Sequence, residues 1–165
     1  MNVNVNEDLM FATEDQMEDI FGAQVEDDSE SQKYLIFNTD NLKFGIDANT
    51  VVEIITSYSI TFLPMLPDFV RGIINLRGQM IPILDMRLRL GKDAVEDCLI
   101  VVLNVSGTQI GILVDSVDQM LDIPKENILP TPVNHNQKLV SGMVTLPDGS
   151  GTMMVLACEE LLPHD

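Results

Sequence analysis

Few side chains in this sequence could do chemistry. The two histidines, His135 and His164, lie in a polar stretch and beside the last residue, and neither has Cys or acidic neighbours at metal-ligand spacing. The two cysteines, Cys98 and Cys158, stand in apolar, strand-like runs without CxxC spacing, which reads as buried reduced thiols. There is no phosphate-binding glycine loop, dinucleotide fingerprint or nucleophile elbow. Asp47, Asp85 and Asp115 each end an apolar run, and a two-lobed β protein with repeated aspartates invites comparison with acid proteases. That chemistry needs Asp-Thr/Ser-Gly in each lobe. Here the aspartates are followed by Ala48, Met86 and Ser116-Val117, so the comparison fails. The acidic N-terminal region lacks EF-hand spacing as well. The expectation is therefore a non-enzyme without cofactor or metal, acting by surface recognition.

Charge narrows the class of partner. The formal net charge is −17, yet five of the nine Lys and Arg residues (Arg71, Arg77, Arg87, Arg89 and Lys92) fall in one short stretch. One small basic patch is too little to neutralise a nucleic-acid backbone, and an acidic surface avoids anionic lipid, so proteins are the expected partners. No apolar run approaches the ~20 residues of a membrane-spanning helix. The start, MNVNVNEDLMF, has neither a basic n-region nor a following apolar stretch, so a cytoplasmic location without membrane insertion is expected.

Two regions differ in grammar. Residues 1–32 carry ten acidic side chains and no basic one, a composition that cannot offset its ordering entropy by burial and reads as a mostly disordered tail. Within it, 13–22 has the marks of a short helix. Thr13 and Gln16 fit a capping box, acidic residues fill the first turn, and Gly22 can close it. Met17, Ile20 and Phe21 would share one face.

From Lys33 onward the pattern is β. Tyr34–Phe37, Leu42–Ile46 and Val51–Ile55 are short apolar runs, the first two separated by a turn cluster at 38–41. An extended Leu63-Pro64 and Pro67 connection leads to Phe69–Gly72, read as one helical turn. Ile73–Leu76 and Met80–Leu84 then flank Arg77-Gly78 as a hairpin. Asp85 caps a short helix stopped by Gly91, with Arg87 and Arg89 pointing outward. Pro82 within a strand predicts an edge position or a bulge.

After Gly91 the pattern restarts. Ile110-Gly111-Ile112 repeats Phe44-Gly45-Ile46, and Val117-Asp118-Gln119 repeats Val51-Val52-Glu53. Residues 139–146 repeat 69–76, and Met153–Leu156 repeats Ile81–Leu84. Two copies, 33–92 and 97–162, predict an all-β fold of two small five-stranded SH3-like β-barrels packed side by side, joined by short helices, with exchange of strands between barrels left open. Residues that the copies share belong to the architecture; those that differ are free for function. Arg77 aligns with Pro147 and Glu53 with Gln119, so a five-donor guanidinium on a tight turn and a strand carboxylate become candidate contacts for a partner protein.

Residues 33–162 resemble the CheW-like family of chemotaxis coupling proteins. The resemblance rests on Phe44-Gly45-Ile46-Asp47, Val51-Val52-Glu53-Ile54, Leu63-Pro64 through Gly72, Asn75-Leu76-Arg77-Gly78, Ile81-Pro82-Ile83-Leu84-Asp85 and Arg87. It implies a two-barrel adaptor that binds the cytoplasmic tips of chemoreceptors and the regulatory domain of the histidine kinase CheA, placing the chain in membrane-proximal receptor arrays. It implies receptor or kinase contacts at Val51, Glu53, Gly72, Asn75, Arg77, Pro82 and Arg87. Receptor contact would use an apolar groove between barrels and the strand of Val51 and Glu53; kinase contact would use exposed apolar edges, mainly of the second barrel. The tail resembles instead the N-terminal peptide of flagellar switch proteins, which implies docking of a phosphorylated response regulator through Thr13, Met17, Ile20 and Phe21. A CheW-like scaffold in another two-component pathway is the alternative.

Overall fold

The computed structural model describes residues 30–131 and 138–162. The strands are β1 (Ser31–Thr39), β2 (Leu42–Asp47), β3 (Val51–Ile55), β4 (Val70–Leu76), β5 (Gln79–Asp85), β6 (Leu99–Val105), β7 (Thr108–Val114), β8 (Ser116–Pro124), β9 (Leu129–Pro130), β10 (Val140–Thr145) and β11 (Thr152–Leu156). A four-residue helix, α1 (Met86–Arg89), and single 3-10 turns at Ala48–Thr50, Lys125–Asn127 and Cys158–Leu161 complete the described residues. The fold is all-β, as the alternation of short apolar runs and turn residues predicts.

The strands form two sheets, ordered β8-β1-β2-β11-β10-β9 and β3-β6-β7-β5-β4. Each sheet mixes the two sequence copies. The β1–β2 hairpin of the first copy sits among second-copy strands, and the β6–β7 hairpin of the second copy sits among first-copy strands. The seams are parallel: Val155 pairs with Gly45, and Ile83 with Gly111. The sheets are thus mixed rather than purely antiparallel. The copies correspond in backbone register: matching bulges fall between Val51 and Glu53 on β3 and opposite Val117 and Gln119 on β8. A second pair falls between Val70 and Gly72 and between Val140 and Gly142.

This layout explains why YLIF and LIVVL are unbroken apolar runs, as strands buried on both faces must be. Leu35, Phe37, Val101 and Leu103 face a large central core between the sheets, with Phe37 stacked on Phe44 at 5.4 Å. Tyr34 and Ile36 fill a small core inside the first sheet, and Ile100 and Val102 one inside the second. The hairpin turns Asp40-Asn41, Ser106-Gly107 and Arg77-Gly78 all have positive φ at both positions, the geometry whose twist suits a two-residue hairpin.

Two local expectations are corrected. Residues 70–72 are strand, not a helical turn: Gly72, at φ +146, lets Thr61 exchange two backbone hydrogen bonds with Ile73 at 2.8 and 2.9 Å. Pro82 lies on an interior strand and away from the bulge. It is tolerated because its partner Ile73 spends its own N–H and carbonyl on Thr61, and because the β5–β7 ladder begins only at Ile83.

The two equivalent glycines differ in a testable way. A Cβ on Gly72 would overlap the Thr61 carbonyl and impose positive φ on a side chain; on Gly142 it would first meet Ile128 Cγ2 at 2.7 Å, a movable side chain. Gly72→Ala is expected to destabilise the protein by more than about 1 kcal/mol, and Gly142→Ala by clearly less, as read from chemical denaturation midpoints.

Candidate functional site

The β4–β5 turn is built by its own sequence. Asn75 Oδ1 accepts from Gly78 N at 2.9 Å, and Arg77 and Gly78 take positive φ. Asn104 does the same for Gly107 in the β6–β7 turn, so Asn75 is explained by turn geometry. The turn aims Arg77 across to β3, where its Nη2 donates to Glu53 Oε1 at 2.8 Å. Arg77 remains 71% exposed, which leaves most of its donor fork open to a partner, while Glu53 is largely covered. An ion pair this exposed adds little stability; its effect is to orient the guanidinium. Val51 is half-buried against the central core, whereas Val52, Ile54 and Met80 expose apolar surface on the same two strands.

The second copy makes an equivalent tie with different chemistry. Gln119 Nε2 donates to Asp148 Oδ2 at 3.2 Å, linking β8 to the β10–β11 loop as Glu53 links β3 to Arg77. Both copies thus make a strand-to-turn contact here, and the second makes it without an arginine. What the shared contact leaves free is the sign: basic in the first copy, acidic in the second. Hydrogen bonds from Ser150 hold the Asp148 carboxyl below the usual range, so that turn stays anionic.

The remaining basic residues have structural tasks. Asp85, almost fully buried, accepts from Arg71 Nη1 at 2.8 Å and from the amides of Arg87 and Leu88 at 2.9 and 3.4 Å, capping α1. Arg87 points into the body rather than outward. Its Nε and Nη2 hold both carboxylate oxygens of Asp115 at 3.0 and 2.9 Å, and Nη1 reaches Asp40 at 3.4 Å. This fork joins α1 to the end of β7 and to the β1–β2 turn, where Asp40 N also donates to Asp115. Partner contact at Arg87 is thus the least supported of the sequence-based assignments.

An apolar groove runs where the copies meet. About 650 Å³ in volume, it is lined by Leu66, Phe69, Pro82, Leu84, Leu161 and Leu162 among others, with Arg89 at its rim over the Phe69 ring at 5.3 Å. Beside it the 62–66 connection exposes Phe62 and Met65. Of the residues picked from sequence, Glu53 and Arg77 touch, Asn75 supports their turn, Gly72 admits the 60–62 segment behind it, and Pro82 faces the groove. Phe69, Arg89 and Leu161-Leu162 were not singled out, although apolar pairs after the last strand of a copy could have signalled them. Thr13, Met17, Ile20 and Phe21 lie outside the described residues.

Catalytic chemistry has little to work with. Burial pushes the Cys158 thiol up to about 12 and raises that of Cys98, which removes thiolate nucleophiles. Among the described residues no three His, Cys, Asp or Glu side chains gather as a metal site, and no helix is long and apolar enough to cross a membrane.

Architecture and surface together define a two-sheet β body with an exposed, ion-paired turn and an apolar groove. Residues 33–165 match the CheW-like domain family, and the chain belongs to that family. It is 33% identical over 140 residues to the chemotaxis protein CheW of Klebsiella aerogenes, covering 81% of this chain and 83% of the relative. It is 27% identical over 157 residues to CheW of Helicobacter pylori, covering 92% and 94%. The crystal structure of the scaffolding protein TtCheW from Thermoanaerobacter tengcongensis superimposes with a TM-score of 0.69 at 30% identity, covering 76% of this chain and 88% of that one. The family consists of non-catalytic chemotaxis adaptors, and this chain is a scaffold of that kind, not an enzyme.

The Arg87 fork predicts a pH dependence. Burial raises the Asp115 carboxyl, but hydrogen bonds from Arg87 and the Asp40 amide outweigh it and set the pKa below the usual range. A depressed carboxylate contributes stability above its unfolded value of about 3.9 and loses it as pH falls through the folded value. Asp115→Asn is therefore expected to lower Tm at neutral pH, with the gap from wild type closing as pH falls below about 4, measured by thermal melts across pH.

Proposed function

We propose that the chain couples the cytoplasmic tips of chemoreceptors to the regulatory domain of the histidine kinase CheA in signalling arrays on the cytoplasmic face of the membrane. What supports this is that one two-sheet body presents two exposed surfaces of different character. One is the apolar inter-copy groove together with the oriented Arg77–Glu53 pair at the far end of β5; the other is the apolar surface of Met120, Leu129 and Met143 on the mainly second-copy sheet. A protein that joins two others needs two such faces.

The receptor, a helical coiled-coil tip, would lay apolar side chains in the groove of Phe69 and Leu84 and reach toward Val51 and Glu53. The kinase domain, itself of this fold, would use exposed sheet edges, with Met120, Leu129 and Met143 on the mainly second-copy sheet offering apolar area. Arg77 would contribute directional hydrogen bonds to carboxylates or carbonyls at the boundary between the two, the type of residue that dominates interface energetics.

The test is reconstitution of receptor-tip fragment, CheA and this protein, read as receptor-stimulated kinase activity. Arg77→Glu, which sets two carboxylates against each other at the turn, is expected to lower the affinity of the assembly about tenfold or more with an unchanged melting curve. Equal activity of wild type and variant at limiting protein, or failure of the wild type to bind either partner, would defeat the proposal.

A further inference from the structure

A knob and a hole stand side by side on one face of the molecule. The hole is the groove between the copies, about 650 Å³ and mostly apolar, with both a cation and an anion, Arg89 and Glu160, among its lining residues. Charge therefore does not choose its guest; apolar shape does. The knob is the connection Phe62-Leu63-Pro64-Met65-Leu66. Leu66 and Pro67 form part of the groove wall, so knob and hole are joined by the chain itself. Phe62 is 74% exposed and Met65 99%.

The fold presents this knob at a cost to itself. Met65 takes φ +66, a left-handed backbone that glycine enters freely, and its side chain gains no burial in return. Both ends of the connection are fixed. Thr61 exchanges hydrogen bonds with Ile73 at 2.8 and 2.9 Å, and Pro67 O accepts from Val70 N at 2.9 Å. Pro64 and Pro67 stiffen the span between them, so little further freedom is lost when it binds. The repeat does not require the aromatic. Thr61 pairs with Ile73 as Leu129 pairs with Met143, which sets Phe62 against Pro130 in the second copy.

A knob beside a hole is self-complementary, because a two-fold axis midway between them carries each onto the other. Pairing both loops with both grooves would cover on the order of 1,200 Å², the lower edge of specific interfaces. We propose that two copies of this chain associate about such an axis, the Phe62–Met65 loop of each seated in the Phe69–Leu84–Leu162 groove of the other, as a weak dimer that hides both grooves. Exclusion of receptor by the dimer rests on the groove being the receptor face, as proposed above; the association itself does not. At a formal charge of −17 each, the two chains repel. Salt screens that repulsion and tightens the pairing, the reverse of an interface held by ion pairs.

The experiment uses the full chain. Sedimentation is expected to show a monomer–dimer equilibrium with Kd on the order of 10–100 µM, tighter as salt is raised. Phe62→Ser combined with Met65→Gly should weaken it about tenfold or more, with no loss of Tm, since glycine suits the left-handed position. In a mixed sample, a nitroxide on exposed Asp68→Cys of one chain should attenuate the Leu84 and Leu162 methyl signals of a second, methyl-labelled chain; the buried native cysteines escape the label. A monomer at every concentration, association untouched by the double variant, loosening by salt, or attenuation centred on Leu129 would overturn the dimer. Wild type should bind a receptor-tip fragment more weakly as the dimer fills, and the double variant with an affinity independent of its own concentration. A dimer that takes up the fragment without dissociating would keep the pairing and reject only the receptor reading.

Discussion

Two parallel strand pairs, β2 against β11 and β5 against β7, hold the molecule together across its internal repeat. At each seam a glycine of one copy lies against the other copy's strand or its neighbour: Gly45 against Met153, Gly111 against Ile83. A side chain there would press on the far ends of Met153 and Ile83, which would have to shift for the seam to stay closed. Because the seams are secure, the outward alternate residues of β1 and β6 can bury a core shared by both sheets, and no surface-only interface between halves is needed. The docking faces follow from the same fact. The groove exists where the end of β5 and the turn after β11 come together, and the Arg77 turn projects from the far end of β5.

Much of this was legible before any coordinates. The repeat could be aligned to the residue, and the paired bulges at Glu53 and Gln119 confirm that alignment from backbone register alone. Turn residues did the same for Arg77-Gly78, where asparagine, a tight turn and glycine admit few backbones. The cap at Asp85 was equally local. These features share one property: the interactions that create them lie within a few residues along the chain.

What escaped was set by distant partners. Nothing in a period of two says which of two similar sheets a hairpin joins, so the exchange itself stayed open until strand order was known. Residues 69–72 looked like a helical turn because the contact that makes 70–72 strand, Gly72 against the Thr61 carbonyl, reaches eleven positions upstream. Arg87 looked solvent-facing because four-residue helices have no reliable inner face; Asp115 and Asp40, far away in sequence, decide its direction. The Arg77–Glu53 contact joined two residues chosen separately, and the groove drew on side chains from both copies, 66–89 and 160–162, that are far apart in sequence.

The exchanged hairpins also set how the chain can fold. A single copy, holding β1 to β5, supplies the hairpin for one sheet and the remaining strands for another, so it completes neither by itself. Neither copy can close its own sheet before the other is present, so the two halves form as one cooperative event. A break in the chain between them would leave two fragments that each hold what the other lacks.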